Sequence, residues 1–220
     1  MPHLLVLGTR NLGSVIAGHL LDQGWTATGV SFSADSAAAF PGQGVAADLT
    51  DPAALRRVVD SSPPFDLAVN AMSPKGQFGG GDLLEADPAA MAPYLEQLLP
   101  EVFSFFRVCG HALAARGGGT LVQVTGGSAR RALPGRAPWG AASAAVRALS
   151  QAAANELKPR GVHAALLVCD GQFGGPGDDD DGRAIDTVEL AKDVQFLHEQ
   201  GRGAWTHELV VTPVGDRWTP

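Results

Sequence analysis

Leu4-Leu5-Val6-Leu7-Gly8-Thr9-Arg10-Asn11-Leu12-Gly13 is the stretch on which the reading of this chain turns. Four consecutive apolar residues run into a glycine-bearing turn. Ser14 to Leu21 is then apolar at helical spacing, and Gly24 stands where a helix would be closed. The pattern is strand, turn, helix. A parallel strand buried on both faces is a near-continuous apolar run, and glycines at its carboxyl end let the first N–H groups of the next helix approach a phosphate. An ordinary tight strand-to-helix turn has the same local pattern, so the remaining sequence has to decide between them.

Outward from that stretch, strands alternate with helices. Trp25 to Ser31 reads as a second strand, followed by a short alanine-rich helix ending near Phe40 and a third strand at Val45 to Ala47. Asp51-Pro52 supplies an N-cap and a first-turn proline for a helix from Pro52 to Asp60, and Asp66 to Asn70 is a fourth strand. Met72 to Glu85 reads as a mobile loop. Asp87 to Arg116 is a long helical region that Pro93 and Pro100 bend or divide. Thr120 to Thr125 is a fifth strand, Trp139 to Leu157 an alanine-dense helix and Val162 to Val168 a sixth strand. Asp186 with Glu189 resembles a capping box opening a helix to Gln200, and Trp205 to Val211 is the last strand. Such alternation implies an α/β fold, a doubly wound parallel sheet of about seven strands with helices on both faces. Residues 1–220 are expected to form one domain, since no linker or repeat interrupts them.

Composition narrows the partners. A net charge of −7 with 45% hydrophobic residues describes a soluble globular chain and argues against a nucleic-acid or anionic-membrane partner. Cys109 and Cys169 both sit in apolar surroundings and read as small buried hydrophobes, which suits a reducing cytoplasm. No basic region precedes the first apolar stretch, and no apolar run reaches the roughly 20 residues of a membrane span, so neither signal peptide nor membrane helix is expected. The run Asp178 to Asp181 reads as a solvated, self-repelling segment, and no metal site is expected. Lys75 in its loop and His111 in the long helix read as a solvated lysine and a satisfied, partly buried histidine.

Several spaced elements together resemble the short-chain dehydrogenase/reductase family over nearly the whole chain. Gly8 to Gly13 looks like its first-turn motif, one residue shorter than the commonest form and with Asn11 at the middle glycine. Asp48-Leu49-Thr50 resembles the Asp that holds the adenine amino group, Val69-Asn70-Ala71 the element after the fourth strand, and Gly203 to Leu209 the closing strand. The resemblance implies a Rossmann-like fold and a nicotinamide dinucleotide held by Gly8, Thr9, Arg10, Asn11, Leu12, Gly13, Ser33, Asp48, Leu49, Asn70 and Ala71. Ser31-Phe32-Ser33 after the second strand, with Arg10 nearby, favours NADP over NAD, because a 2′-phosphate wants a cation and hydroxyls where a ribose hydroxyl wants a carboxylate. Asp35 is the residue able to reverse that preference.

The family's chemistry uses a serine after the fifth strand and Tyr-x-x-x-Lys in the next helix, where the lysine and the positive nicotinamide lower the phenol pKa. Here Gly126, Trp139 and Ser143 stand at those positions. Tyr94 is the single tyrosine and the lysines are Lys75, Lys158 and Lys192, so shifting the alignment restores nothing. The family's Pro-Gly after the sixth strand is Asp170-Gly171, and the carboxamide-binding threonine is missing. Candidate catalytic residues are therefore Ser128, Thr125, Trp139 and Asp170. Three functions fit: an NADP(H)-binding oxidoreductase with an atypical or lost proton relay, an inactive partner subunit of an active relative, and a non-redox cyclase, lyase or isomerase with the dinucleotide structural or absent. A small-molecule substrate of unknown identity is expected. So is a homodimer or homotetramer, or a hetero-oligomer with an active relative, because the many small alanines of the Trp139–Leu157 helix permit close packing across an interface, although burial against the protein's own sheet accounts for part of the pattern equally well.

Overall fold

The computed structural model describes residues 1–49, 51, 53–72, 82–175 and 182–216. Its strands are β1 (His3–Leu7), β2 (Thr26–Ser31), β3 (Gln43–Ala46), β4 (Leu67–Asn70), β5 (Gly119–Gly126), β6 (Val162–Cys169), β7 (Gln172–Phe173), β8 (Ala184–Ile185) and β9 (Glu208–Val211). The α-helices are α1 (Leu12–Leu21), α2 (Ala34–Ala38), α3 (Ala54–Ser61), α4 (Leu99–Ala115), α5 (Ala137–Leu157) and α6 (Thr187–Glu199). Seven strands form one parallel sheet in the order β3-β2-β1-β4-β5-β6-β9. The alternation of strands and helices dictates this doubly wound arrangement, since each parallel crossover carries its helix over one face.

Strand side chains alternate between two cores. Leu4 and Val6 of β1 join Ile16 and Leu20 of α1 and Leu190 and Val194 of α6 on one face. Leu5 and Leu7 join Val58 of α3, Phe105 of α4 and Val146 of α5 on the other. Each fully buried Leu or Phe contributes about 1.5–3 kcal/mol.

Several local expectations change. The Asp87–Arg116 region is a 3₁₀ turn at Pro88–Met91, a π-helical turn at Tyr94–Leu98 and then α4, whose first turn holds Pro100, so proline starts this helix instead of bending it. By length and composition Pro88–Ala115 is long and apolar enough to cross a membrane, contrary to the sequence expectation. Its apolar residues are core, however, with Val102, Phe105, Cys109 and Leu113 fully buried. Asp51 Oδ1 accepts from Ala53 N ahead of α3, and Asp186 Oδ1 accepts from Val188 N at the start of α6. Glu189 pairs with Lys192. β7 and β8 pair as a separate two-stranded sheet beyond β6. His111 is exposed on α4, and Lys75 and Asp178 to Asp181 lie outside the described residues.

The edge of the sheet at the strand amino ends gathers imidazoles. His3 meets Thr26 and Thr28, His198 meets Thr120, and His163 stacks on Trp205 at 5.0 Å while its Nε2–H donates to the Thr206 carbonyl. Burial lowers the pKa of all three; Asp66 partly offsets this for His3 and His198, and the Thr206 carbonyl for His163. Below the unfolded value of about 6.5 the unfolded chain binds these protons more readily than the fold does, so stability is present above that pH and lost as pH falls. Urea midpoints should fall between about pH 7.5 and about pH 5.5, with a slope of at most ~1.4 kcal/mol per pH unit for each such imidazole. A flat profile would contradict this assignment.

Candidate functional site

The strand order reverses between β1 and β4, and a cavity of about 1080 Å³ opens at the carboxyl ends of the strands there, running from the end of β2 to the end of β6. Open α/β sheets bind ligands in this crevice. The glycine turn forms its floor. Gly8 has φ +93°, and a Cβ there would lie 2.9 Å from the Ala71 carbonyl, so only glycine lets the β1 and β4 ends meet this closely. A Cβ on Gly13 would lie 1.8 Å from the Gly8 oxygen; Gly13 packs beneath the turn and lies outside the cavity lining.

Asn11 carries φ 46° and ψ −117°, the single positive φ outside glycine among the described residues, at the position that the sequence resemblance sets against a middle glycine. No side chain caps the amino end of α1 and its first turn holds no acid, which leaves a helix terminus suited to an anion. Arg10 lines the cavity, is exposed, and makes no ion pair among the described residues. Thr9 Oγ1 donates to the Ser36 carbonyl at 3.0 Å, tying the turn to α2, and Ser33 Oγ accepts from Ser36 N at the start of α2.

Of the residues named from the resemblance, Gly8, Thr9, Arg10, Asn11, Leu12, Ser33, Leu49 and Ala71 line the cavity. Asn70 does not, because its amide is committed within the sheet: Nδ2 donates to Gln123 Oε1 at 2.9 Å and Oδ1 accepts from Met72 N. Asp48 is exposed outside the lining, as is Asp35. The carboxylates that line the cavity, Glu101, Asp170 and Asp216, belong to elements remote from β2.

The opposite end holds the residues at the positions that the sequence resemblance sets against the family's proton relay. Gly126, Thr125, Ser128, Trp139 and Asp170 all line the cavity. A Cβ on Gly126 would stand 3.8 Å from Trp139 Cζ2, so the indole lies against the space beside Gly126. Tyr94 packs behind that indole at 5.9 Å, is buried and lies outside the lining; burial raises its pKa. Ser143 is fully buried and outside the lining, with an unpartnered Oγ. The hydroxyls of Thr125 and Ser128 make no hydrogen bonds among the described residues, which leaves them as the donors available to a ligand at this end. Cys169 also lines it, but burial drives its thiol pKa far up, and Cys109 behaves likewise.

Asp170 is enclosed. Arg131 Nη2 donates to its Oδ1 at 2.8 Å and lies 3.5 Å from Asp216, and a Cβ on Gly127 would fall 1.8 Å from that same Oδ1. Gly127 is glycine because the carboxylate occupies its side-chain space. The arrangement makes Asp170 an anchor for the β5–α5 connection. Sequence reasoning missed this pair and also Phe173 and Arg183 on the β7–β8 side; the consecutive glycines Gly126-Gly127 at a strand end were the one signal available.

These features match a known group of proteins. The family described as Enoyl-(Acyl carrier protein) reductase matches residues 6–171, and the chain belongs to the short-chain dehydrogenase/reductase family. Among solved structures, a short-chain dehydrogenase from Rhodopseudomonas palustris superposes with TM-score 0.81 at 19% identity, covering 96% of this chain and 98% of that one. A gluconate 5-dehydrogenase from Burkholderia cenocepacia J2315, in complex with NADP and tartrate, gives 0.82 at 20% identity over 96% and 93%. A metagenomic short-chain oxidoreductase in complex with NADP gives 0.78 at 21% over 98% of each chain. At these identities the likeness concerns the fold. No protein with a curated description matches in sequence.

Proposed function

We propose that the chain is an NADP(H)-binding oxidoreductase whose proton relay is atypical. The observation that carries the cofactor reading is the β2 end of the cavity, where Arg10, Ser31, Ser33 and Ser36 line the wall and Asp35 and Asp48 do not. That set suits a 2′-phosphate, and the uncapped amino end of α1 suits the pyrophosphate. When bound, the dinucleotide supplies or accepts hydride. Thr125 and Ser128 are placed to donate hydrogen bonds to a substrate oxygen, and Trp139 walls the site. A hydroxyl or an indole polarises a carbonyl but releases no proton near neutrality, so the proton comes from water. Loss of a positioned general acid lowers turnover by roughly 10²- to 10⁴-fold.

Thermal unfolding tests the binding. NADPH at about 100 times its dissociation constant adds about 2.7 kcal/mol, equivalent to roughly 5–10 °C at this chain length, and NADH should add less. Arg10→Ala should erase the difference between the two. If neither dinucleotide shifts the transition at millimolar concentration, the reading fails.

Trp139 against Gly126 favours a second reading, in which the chain binds the dinucleotide without turnover and assists an active relative. The exposed alanines Ala141, Ala144, Ala148 and Ala152 on α5 would then serve a homo- or hetero-oligomer. Stoichiometric NADPH oxidation by the isolated chain would exclude it.

A further inference from the structure

We propose that the substrate is an anion, a carboxylate or phosphate carried on an apolar or aromatic body, and that Arg136 and Arg183 hold its charge at the far end of the cavity. This rests on the reading above only in placing the substrate at that end.

Four guanidinium groups line the cavity: Arg10, Arg131, Arg136 and Arg183. Arg10 belongs to the β2 end. Arg131 is neutralised internally, with Asp170 on one side and Asp216 on the other. Arg136 and Arg183 are exposed, and their guanidinium groups make neither hydrogen bonds nor ion pairs with any described residue. Arg136 immediately precedes α5, three residues before Trp139. Arg183 is fixed beside Gly215, where a Cβ would lie 3.3 Å from its Cγ, and Gly215 adjoins the Asp216 that faces Arg131. Both arginines line the same cavity as the apolar Leu133, Trp139 and Phe173.

On a chain with net charge −7, Arg136 and Arg183, like Arg10, line one cleft without an ion pair among the described residues. Their field draws anions toward low-dielectric walls, and their planar forks match carboxylate or phosphate oxygens. A neutral substrate would leave both unused, and a cationic one would be repelled.

The test uses benzoate, phenyl phosphate and neutral benzyl alcohol as probes, titrated calorimetrically into the protein with and without saturating NADPH. Benzoate or phenyl phosphate should bind, with benzyl alcohol at least about tenfold weaker, and the tighter of the two anions identifies the headgroup. Arg136→Ala and Arg183→Ala should each weaken the anion about tenfold or more, leave NADPH and benzyl alcohol unchanged, and recover in part as Arg136→Lys and Arg183→Lys. Arg107→Ala, an exposed arginine of α4 outside the cavity, should change nothing. Equal binding of benzyl alcohol, indifference of the anions to both alanine variants, or no anion binding up to millimolar concentration overturns the proposal. Should NADPH fail to bind, the cofactor reading falls, and the titrations without it still decide this one.

Discussion

Gly13→Ala should abolish NADPH binding and lower stability by about 3 kcal/mol, the upper part of the range for overpacked sites. The added methyl group would lie 1.8 Å from the Gly8 carbonyl oxygen and 3.6 Å from Val6. The oxygen belongs to backbone, so relief requires moving α1 away from the β1 end and opening the turn that would face the phosphates. A fall in melting temperature of roughly 6–12 °C should accompany the loss. Asn11→Gly, two residues earlier, should act in the opposite direction. Its φ of 46° with ψ of −117° lies in a region that is nearly glycine-only, a strain worth about 1–3 kcal/mol, and glycine returns part of that gain as unfolded-state entropy. A net stabilisation of about 1 kcal/mol with tighter NADPH binding is expected. Wild-type NADPH affinity in Gly13→Ala would show that the turn holds no phosphate.

Ser143→Lys should cost about 3–5 kcal/mol, since it buries an ammonium without a partner. Ser143 is fully buried on the core side of α5, between Ala142 and Val146 in sequence, and does not reach the cavity. Burial lowers the lysine pKa, so the variant should regain stability as pH rises toward about 10, the sign expected when the unfolded chain holds the proton more tightly. Gly126→Ser, by contrast, meets Trp139 at an ordinary 3.8 Å and should be nearly neutral. Restoring serine, tyrosine and lysine together is therefore limited by the third position. Urea denaturation of Gly126→Ser, Trp139→Tyr and Ser143→Lys measures this, and a Ser143→Lys variant as stable as the parent would show that α5 can turn this position toward the cleft.

Most of the fold was legible because its signal is local. Leu4 to Leu7 and Val162 to Val168 are apolar runs long enough to name buried parallel strands, and the alternation with helices supplies topology. β7 and β8, two residues each, are too short to show a period. The π-helical turn before α4 has no signature in local spacing, and its Tyr94 packs against Trp139, a contact between distant segments. At the site, the glycine turn was readable because a backbone constraint lies in consecutive residues. Asn70 lies outside the cavity lining, and the sequence does not reveal that Gln123, its neighbour on β5, takes its amide. The Asp170–Arg131–Asp216 cluster joins three distant segments, and no spacing rule links them.

That cluster ties three positions to one another. At the end of β6 the acid Asp170 takes its counter-charge from Arg131 and its room from Gly127. Replacing Asp170 alone with proline would leave Arg131 only its longer contact with Asp216, and giving Gly127 a side chain would displace the carboxylate. What each position tolerates at this edge of the cleft is therefore set by the residues at the other two, and single substitutions there are not independent.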